Sequence, residues 1–310
     1  MAKRRWLRFS LRSLLVAVSV ACVVLGLWAN RARRQRQAVA AILEAGGSVG
    51  YDYQWSGAEA PSPVWFSNLV GVDYLGNAVQ VRYPLGAKVE AIDRIGELSM
   101  LEYLDLDGAL VNDAALTHLT GSTNLGRLNL AGTQITDEGL TSLSTLSNLK
   151  ELYLYHTQVS DAGMAHLGRL PSLQILLLDN TRVTDAGLKH LAGIVSLERL
   201  SLYGTQVSDA GLVHLRGLTY LRRLCLSNTR VTDAGLIHLR GFTNLRSLLL
   251  DNTQVTDAGL AHLAALTNLE RLSLKGTEVT PDAIQKVKLK PSANGRRGRG
   301  RARPPVQQPN

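Results

Sequence analysis

The sequence predicts an α/β solenoid, one strand-and-helix module copied end to end, preceded by a single helix of membrane length. Three observations predict it. From Leu101 the chain repeats every 24 residues without insertion, with units starting at Leu101, Leu125, Leu149, Leu173, Leu197, Leu221, Leu245 and Leu269. Within each unit the spacing of leucines changes from two to three halfway along. Ahead of the repeats, 18 residues between Arg12 and Arg31 carry no charge.

The chain has 310 residues and a net charge of +9, but the charge is unevenly placed. Of 34 basic residues, nine lie in 1–36 and eight in 286–310, leaving 17 in the body against all 25 acidic residues, a balance of −8. A basic whole-chain charge is therefore no sign that the body grips nucleic acid. Two distant cysteines, Cys22 and Cys225, exclude a disulfide scaffold and a cysteine-based structural zinc site.

Residues 1–13 form a basic tail and 14–30 a transmembrane helix. Eighteen helical residues reach roughly 27 Å, about one hydrocarbon core. Trp6, Phe9 and Trp28 stand where interfacial aromatics belong. A cleaved signal peptide shares the basic–apolar order. Here, however, Trp28, Asn30 and Arg31 follow the run in place of small residues, and the nearest A-x-A, Ala38–Val39–Ala40, lies beyond four arginines. An uncleaved single span is the expectation, with the repeats on the extracytoplasmic side because a short basic tail crosses poorly. Five basic residues before the span and four after it pull in opposite directions.

Residues 31–45 read as a juxtamembrane helix ended by Gly46–Gly47. Residues 46–100 read as an N-terminal capping region with a degenerate repeat. Ile92, Ile95 and Leu98 match the helical positions of a unit, while Val79 and Val81 form a strand one residue out of step. The stretch 51–83 holds seven of the chain's 16 aromatics, Trp55, Trp65 and Phe66 among them, as an aromatic cap over the first coils or a ligand pocket.

The eight units, 101–290, follow L-x-x-L-x-L-x-x-T-x-V-[ST]-D-A-G-L-x-H-L-x-x-L-x-x. Leucines at positions 4 and 6 alternate with polar residues, as a half-buried strand requires. Leucines at 16, 19 and 22 fall on one helical face. Thr136 and Ser160, at position 12, are placed to cap the helix, and Asp137 and Asp161, at 13, face its positive end. Gly187, at 15, permits close approach between coils. Thr at position 9 in seven units is placed to bond the bend after the strand. The last unit closes the array with Pro281, Ile284, Val287, Lys288 and Lys290, since a terminal coil exposes its core.

A period of 20–29 residues with L-x-x-L-x-L is the leucine-rich-repeat signature. With V-T-D-A-G-L opening each helix, the units resemble bacterial leucine-rich repeats of the ribonuclease-inhibitor-like and F-box-associated type. They depart from most members in having Thr, not Asn or Cys, at position 9. The layout of a basic F-S-L-R-S-L-L start, one span and a repeat array also resembles a group of bacterial membrane-anchored repeat proteins. The resemblance implies a right-handed horseshoe with a parallel sheet on its concave side and protein partners. It brings no common catalytic residue and no cofactor.

Six histidines share position 18: His118, His166, His190, His214, His238 and His262. Zinc needs nitrogens about 2.0–2.1 Å away, whereas equivalent sites on packed helices stand roughly 8–10 Å apart. They read as rim residues. The Thr/Ser-Asp-Ala-Gly boxes recur in nearly every unit, while an active site needs a singular arrangement. No P-loop, G-x-S-x-G, H-E-x-x-H or dinucleotide fingerprint occurs, and no small-molecule substrate is evident. The expectation is a protein that is not an enzyme.

Variation points elsewhere. Strand positions 3, 5 and 7 should leave the sheet outward, and there the units differ. The expected partner-binding residues are Tyr103, Tyr153, Tyr155, Ile175, Leu177, Arg199, Tyr203, Arg223, Leu249 and Arg271. Tyr and Arg are frequent interface anchors. The expected function is a membrane-anchored scaffold for a protein partner. The alternative is a binder of envelope polysaccharide or another anionic polymer, through the arginine side and the basic tail 291–310, which is too poor in apolar residues to fold alone. That tail also offers a contact for anionic lipid.

Overall fold

A computed structural model describes residues 11–55, 76–89, 92–287 and 289–291. Trp65, Phe66 and the tail beyond 291 lie outside the described residues, so the aromatic cap and the tail contacts remain sequence expectations. The chain divides into two compact units. The first comprises 1–159 with 169–173, and the second 160–168 with 174–310.

One unbroken helix, Leu11–Glu44, opens the first unit, so the segments read as span and juxtamembrane helix form a single element. Side chains from Leu14 to Leu27 are exposed, and Ser13–Glu44 is long and apolar enough to cross a membrane. Past Arg31 the helix turns amphipathic: Ala32, Gln35, Ala38, Val39 and Ile42 are buried along one stripe. That stripe belongs to the face against strand β1 (Ser48–Tyr51) and the short helix Ile92–Ile95. Gly46, at φ 79°, ends the helix. Its N–H bonds the Leu43 carbonyl at 3.0 Å, and the Gly47 N–H bonds the Ile42 carbonyl at 2.8 Å. Those two bonds form a Schellman motif, which needs a left-handed residue there.

Strand β1 pairs antiparallel with β2 (Ala78–Arg82). Parallel pairing follows from β2 to β3 (Tyr103–Asp105), β4 (Arg127–Asn129) and β5 (Glu151–Tyr153). Val81 lies opposite Leu104, a spacing of 23 residues, so the degenerate repeat is one residue out of step. In the second unit β6 (Ile175–Leu177), β7 (Arg199–Ser201), β8 (Arg223–Cys225), β9 (Ser247–Leu249) and β10 (Arg271–Ser273) pair in parallel in chain order. From β3 to β5, and from β6 to β10, paired residues stand 24 apart. The fold is a leucine-rich-repeat solenoid with a parallel sheet.

Leucines at 4, 6, 16, 19 and 22 form the core. The helical half is tighter than an α-helix. Most coils make one α-turn, as in Asp209–Leu212, and then a 3-10 turn, as in Val213–Leu215. A spacing of three is the 3-10 period, which keeps positions 16 and 19 on one side. Position 8 is left-handed in all eight coils, from 53° at Asn252 to 69° at Gly276. Glycine, asparagine or histidine stands there because other side chains pay for that conformation. The next residue completes the bend: the Thr133, Thr205 and Thr253 hydroxyls donate to the carbonyls of Leu130, Leu202 and Leu250 at 2.6–2.7 Å.

The T-D-A-G box ties coils together. Asp185 accepts the Ser208 N–H at 2.7 Å and the Ser208 hydroxyl at 2.5 Å, 23 residues on. The same pair of bonds joins Asp113 to Thr136, Asp161 to Thr184, Asp209 to Thr232, Asp233 to Thr256 and Asp257 to Thr280. Position 15 is glycine in six of the eight coils, and at Gly211 an added Cβ would strike the previous coil's Asp185 carboxylate, while the last coil carries Ala283 there beside Asp257. Helix capping, the role expected of position 12, is also present: Thr184, Thr232 and Thr256 each accept an N–H two residues on at 3.2–3.3 Å. The carboxylate expected at the helix's positive end therefore also serves the next coil.

Candidate binding face

Outward strand positions differ sharply between the two units. In the first unit Arg127, at position 3 of β4, meets Glu151, at position 3 of β5. Two contacts, at 2.6 and 2.7 Å, make the pair a fork. The Tyr103 ring lies beneath two guanidiniums, with Arg127 at 5.3 Å and Arg82 at 5.7 Å from its centre. Its hydroxyl donates to Asp105 at 2.7 Å, and Asp105 also takes Arg82 at 3.2 Å and the Asn129 amide at 2.9 Å. The Tyr153 hydroxyl donates to Glu151 at 2.6 Å, and the Tyr155 hydroxyl to Asp107 at 3.3 Å.

Burial, and next the bond to Asp105, raise the Tyr103 phenol above its ordinary range. Burial and then the nearby Asp107 raise Tyr155. The bond to Glu151 raises Arg127 further. Of the tyrosines expected to meet a partner, Tyr103, Tyr153 and Tyr155 are half-buried rings whose hydroxyls are bound to carboxylates. Position 3 alone carried the missed signal, since arginine and glutamate stand there in consecutive units.

In the second unit, Arg199, Arg223 and Arg271 occupy position 3 and are exposed. Their neighbours at that position are Ile175 and Ser247, with no acid among them. None of the three has a carboxylate within ion-pair distance among the described residues. They line a groove of about 790 Å3 with Arg246, Glu270 and Leu249. Ile175, Leu177 and Leu249 are half-buried, and Tyr203 is 40% exposed. Acids on this face stand at position 7 and are occupied. Asp179 accepts the Ser201 hydroxyl and the Tyr203 N–H, and Asp251 the Ser273 hydroxyl and the Lys275 N–H. Cys225 is half-buried between them.

On the helical side, His238 Nδ1 lies 2.5 Å from the Arg216 guanidinium and His262 Nδ1 2.6 Å from Arg240. Burial and then Arg216 lower the His238 pKa. Among the described residues no group of three or more His, Cys, Asp or Glu is placed to hold a metal ion.

A leucine-rich-repeat family model matches residues 121–144, one full period. Among solved structures, an internalin (inlF) from Listeria monocytogenes is similar, with 28% identity and a TM-score of 0.53 over 69% of this chain and 66% of that one. An internalin C2 (inlC2) from the same organism has 29% identity and a TM-score of 0.52, over 64% of this chain and 80% of that one. This chain thus spans just under two thirds of the inlF structure. No curated protein matched.

Proposed function

We propose, for a leucine-rich-repeat protein with internalin-like bacterial structural neighbours, a non-catalytic scaffold. It is held to a membrane by the Leu11–Glu44 helix, displays its repeats on the extracytoplasmic side, and binds a partner protein on the outward sheet face. The observation that carries this reading is the contrast between frame and face. Positions 4, 6, 8, 9, 13 and 15 are committed to core, bends and ladders in coil after coil. Positions 3, 5 and 7 are free to differ and are where an extended solenoid surface recognises ligands.

Tyr153 and Tyr155 are suited to the task. Each hydroxyl is held by a carboxylate, so the ring is ordered before a partner arrives and loses little side-chain freedom on binding. The test is capture by the full-length protein in detergent, comparing wild type with the Tyr153→Ala/Tyr155→Ala and Tyr203→Ala variants. A partner held by wild type and released by a face variant supports the scaffold. Partners retained equally by all three remove this face. Protease accessibility of the repeats in intact spheroplasts tests the side of the membrane.

A further inference from the structure

We infer that the arginine groove of the second unit docks an acidic segment of the partner protein, through carboxylates lying across β7 to β10. The inference rests on the scaffold reading and adds the chemistry of the partner.

Arg199 and Arg223 sit on adjacent strands, about 4.8 Å apart, and Arg271 two strands further on. In the first unit the chain satisfies an arginine at this same position with Glu151. In the second the strand neighbours are Ile175, Ser247 and, for Arg199 and Arg223, each other, so among the described residues no carboxylate closes the three guanidinium forks. Nearby acids do not close them. Glu198 and Glu270, at position 2, lie within 3.5 and 3.7 Å of Arg222 and Arg246, also at position 2. Guanidinium forks match planar carboxylates with two parallel bonds, which gives direction as well as charge.

The rest of the groove favours a peptide over a uniform polyanion. Leu249 and Cys225 supply an apolar floor beside the arginines. Asp179 and Asp251 stand at position 7, two residues past the strand ends and beyond the arginine row. A polymer charged along its whole width meets those carboxylates and is repelled, at a cost like-charge contacts always carry. A peptide with acids on one side and neutral side chains on the other meets both rims favourably.

The test uses full-length protein in detergent, with Cys22→Ser so that Cys225 is the only thiol. The probes are a labelled peptide alternating Glu and Val, its Gln–Val counterpart, and dextran sulfate. We expect the Glu peptide to bind and to protect Cys225 from maleimide, and the Gln peptide to bind at least about tenfold more weakly. Arg199→Ala/Arg223→Ala should lose about tenfold or more for the Glu peptide, and Arg199→Lys/Arg223→Lys should fall between. Unchanged thermal melting of both variants shows that the exposed side chains were not holding the fold. Absence of Glu-peptide binding by wild type, equal binding of the Gln peptide, or unchanged affinity in the alanine variant overturns the inference. Dextran sulfate bound more tightly with the same arginine dependence overturns it in favour of an anionic polymer. A native partner captured in the preceding experiment and kept by the alanine variant sinks the acidic segment while leaving the scaffold standing.

Discussion

Arg127 and Arg199 hold the same position in their coils, yet the chain treats them in opposite ways. Arg127 has Glu151 one strand away and a tyrosine ring beside it, and its charge is spent inside the protein. Arg199 has Arg223 one strand away and faces solvent. The backbone around both is the same, with strands in 24-residue register, a left-handed position 8 and a threonine closing the bend. The difference teaches that in this array the frame fixes geometry while single outward residues decide whether a charge is structural or available.

That comparison can be broken first at the core. Leu128→Ala in the first unit and Leu224→Ala in the second remove equivalent, fully buried side chains. Each should cost about 2–5 kcal/mol, read by hydrogen exchange within its own unit. Costs differing by several kcal/mol would show that the frames are not equivalent. Next comes the ladder. Gly211→Ala should cost about 1–3 kcal/mol, because its methyl meets the Asp185 carboxylate. Adding Asp185→Ala should recover part of that loss, and no recovery would mean the glycine serves another purpose.

A smaller effect sharpens the contrast of faces. Arg127→Ala should destabilise the first unit by about 0.5–1 kcal/mol, as a partly exposed ion pair does, while Arg199→Ala stays within about 0.5 kcal/mol of wild type. Equal losses would mean that Arg199 is paired in solution. The smallest effects lie in pH dependence and have opposite signs in the two units. In the first, Tyr103 and Tyr155 are raised, and burial, then Asp93, pushes Tyr83 up to about 12. A phenol raised by folding contributes stability present below its unfolded value near 10, and that stability is lost as pH climbs toward 12. In the second, His238 is lowered by burial and Arg216, so its contribution is present above about 6.5 and falls away as the solution is acidified. Asp257, lowered by the Thr280 N–H and then its hydroxyl, works in the same direction at lower pH. Unit-resolved exchange should therefore loosen the first unit in alkali and the second in acid. The reverse order would refute both assignments.

Periodicity made the frame legible. The leucines, the position 9 threonine and the capping hydroxyl each act within their own coil or repeat so often that spacing alone exposes them. The Asp–Thr ladder was only half legible, because its partner lies 23 residues ahead and a motif read within one coil sees only a cap. A clue stood in the coil that begins at Leu101: Ala115 replaces the glycine, and Val89 stands where an earlier aspartate would be, so nothing there demands the missing Cβ. Left-handed position 8 was equally visible as glycine, asparagine or histidine in every unit. The face was less legible still. Residues 3, 5 and 7 could be named as outward, but whether a tyrosine hydroxyl or a guanidinium finds a partner depends on the strand beside it.

The unbroken run from Leu11 to Glu44 makes the protein's apolar rod and its first packed layer one mechanical body. Residues 31–44 form about 20 Å of packed helix, fastened at the end nearest the apolar run by the Gln35 amide on the Gly76 carbonyl and by Arg31 on Asn77. With no break in the helix between them, a rotation applied to the exposed run 14–27 passes directly to the strand β1 that the buried stripe packs on.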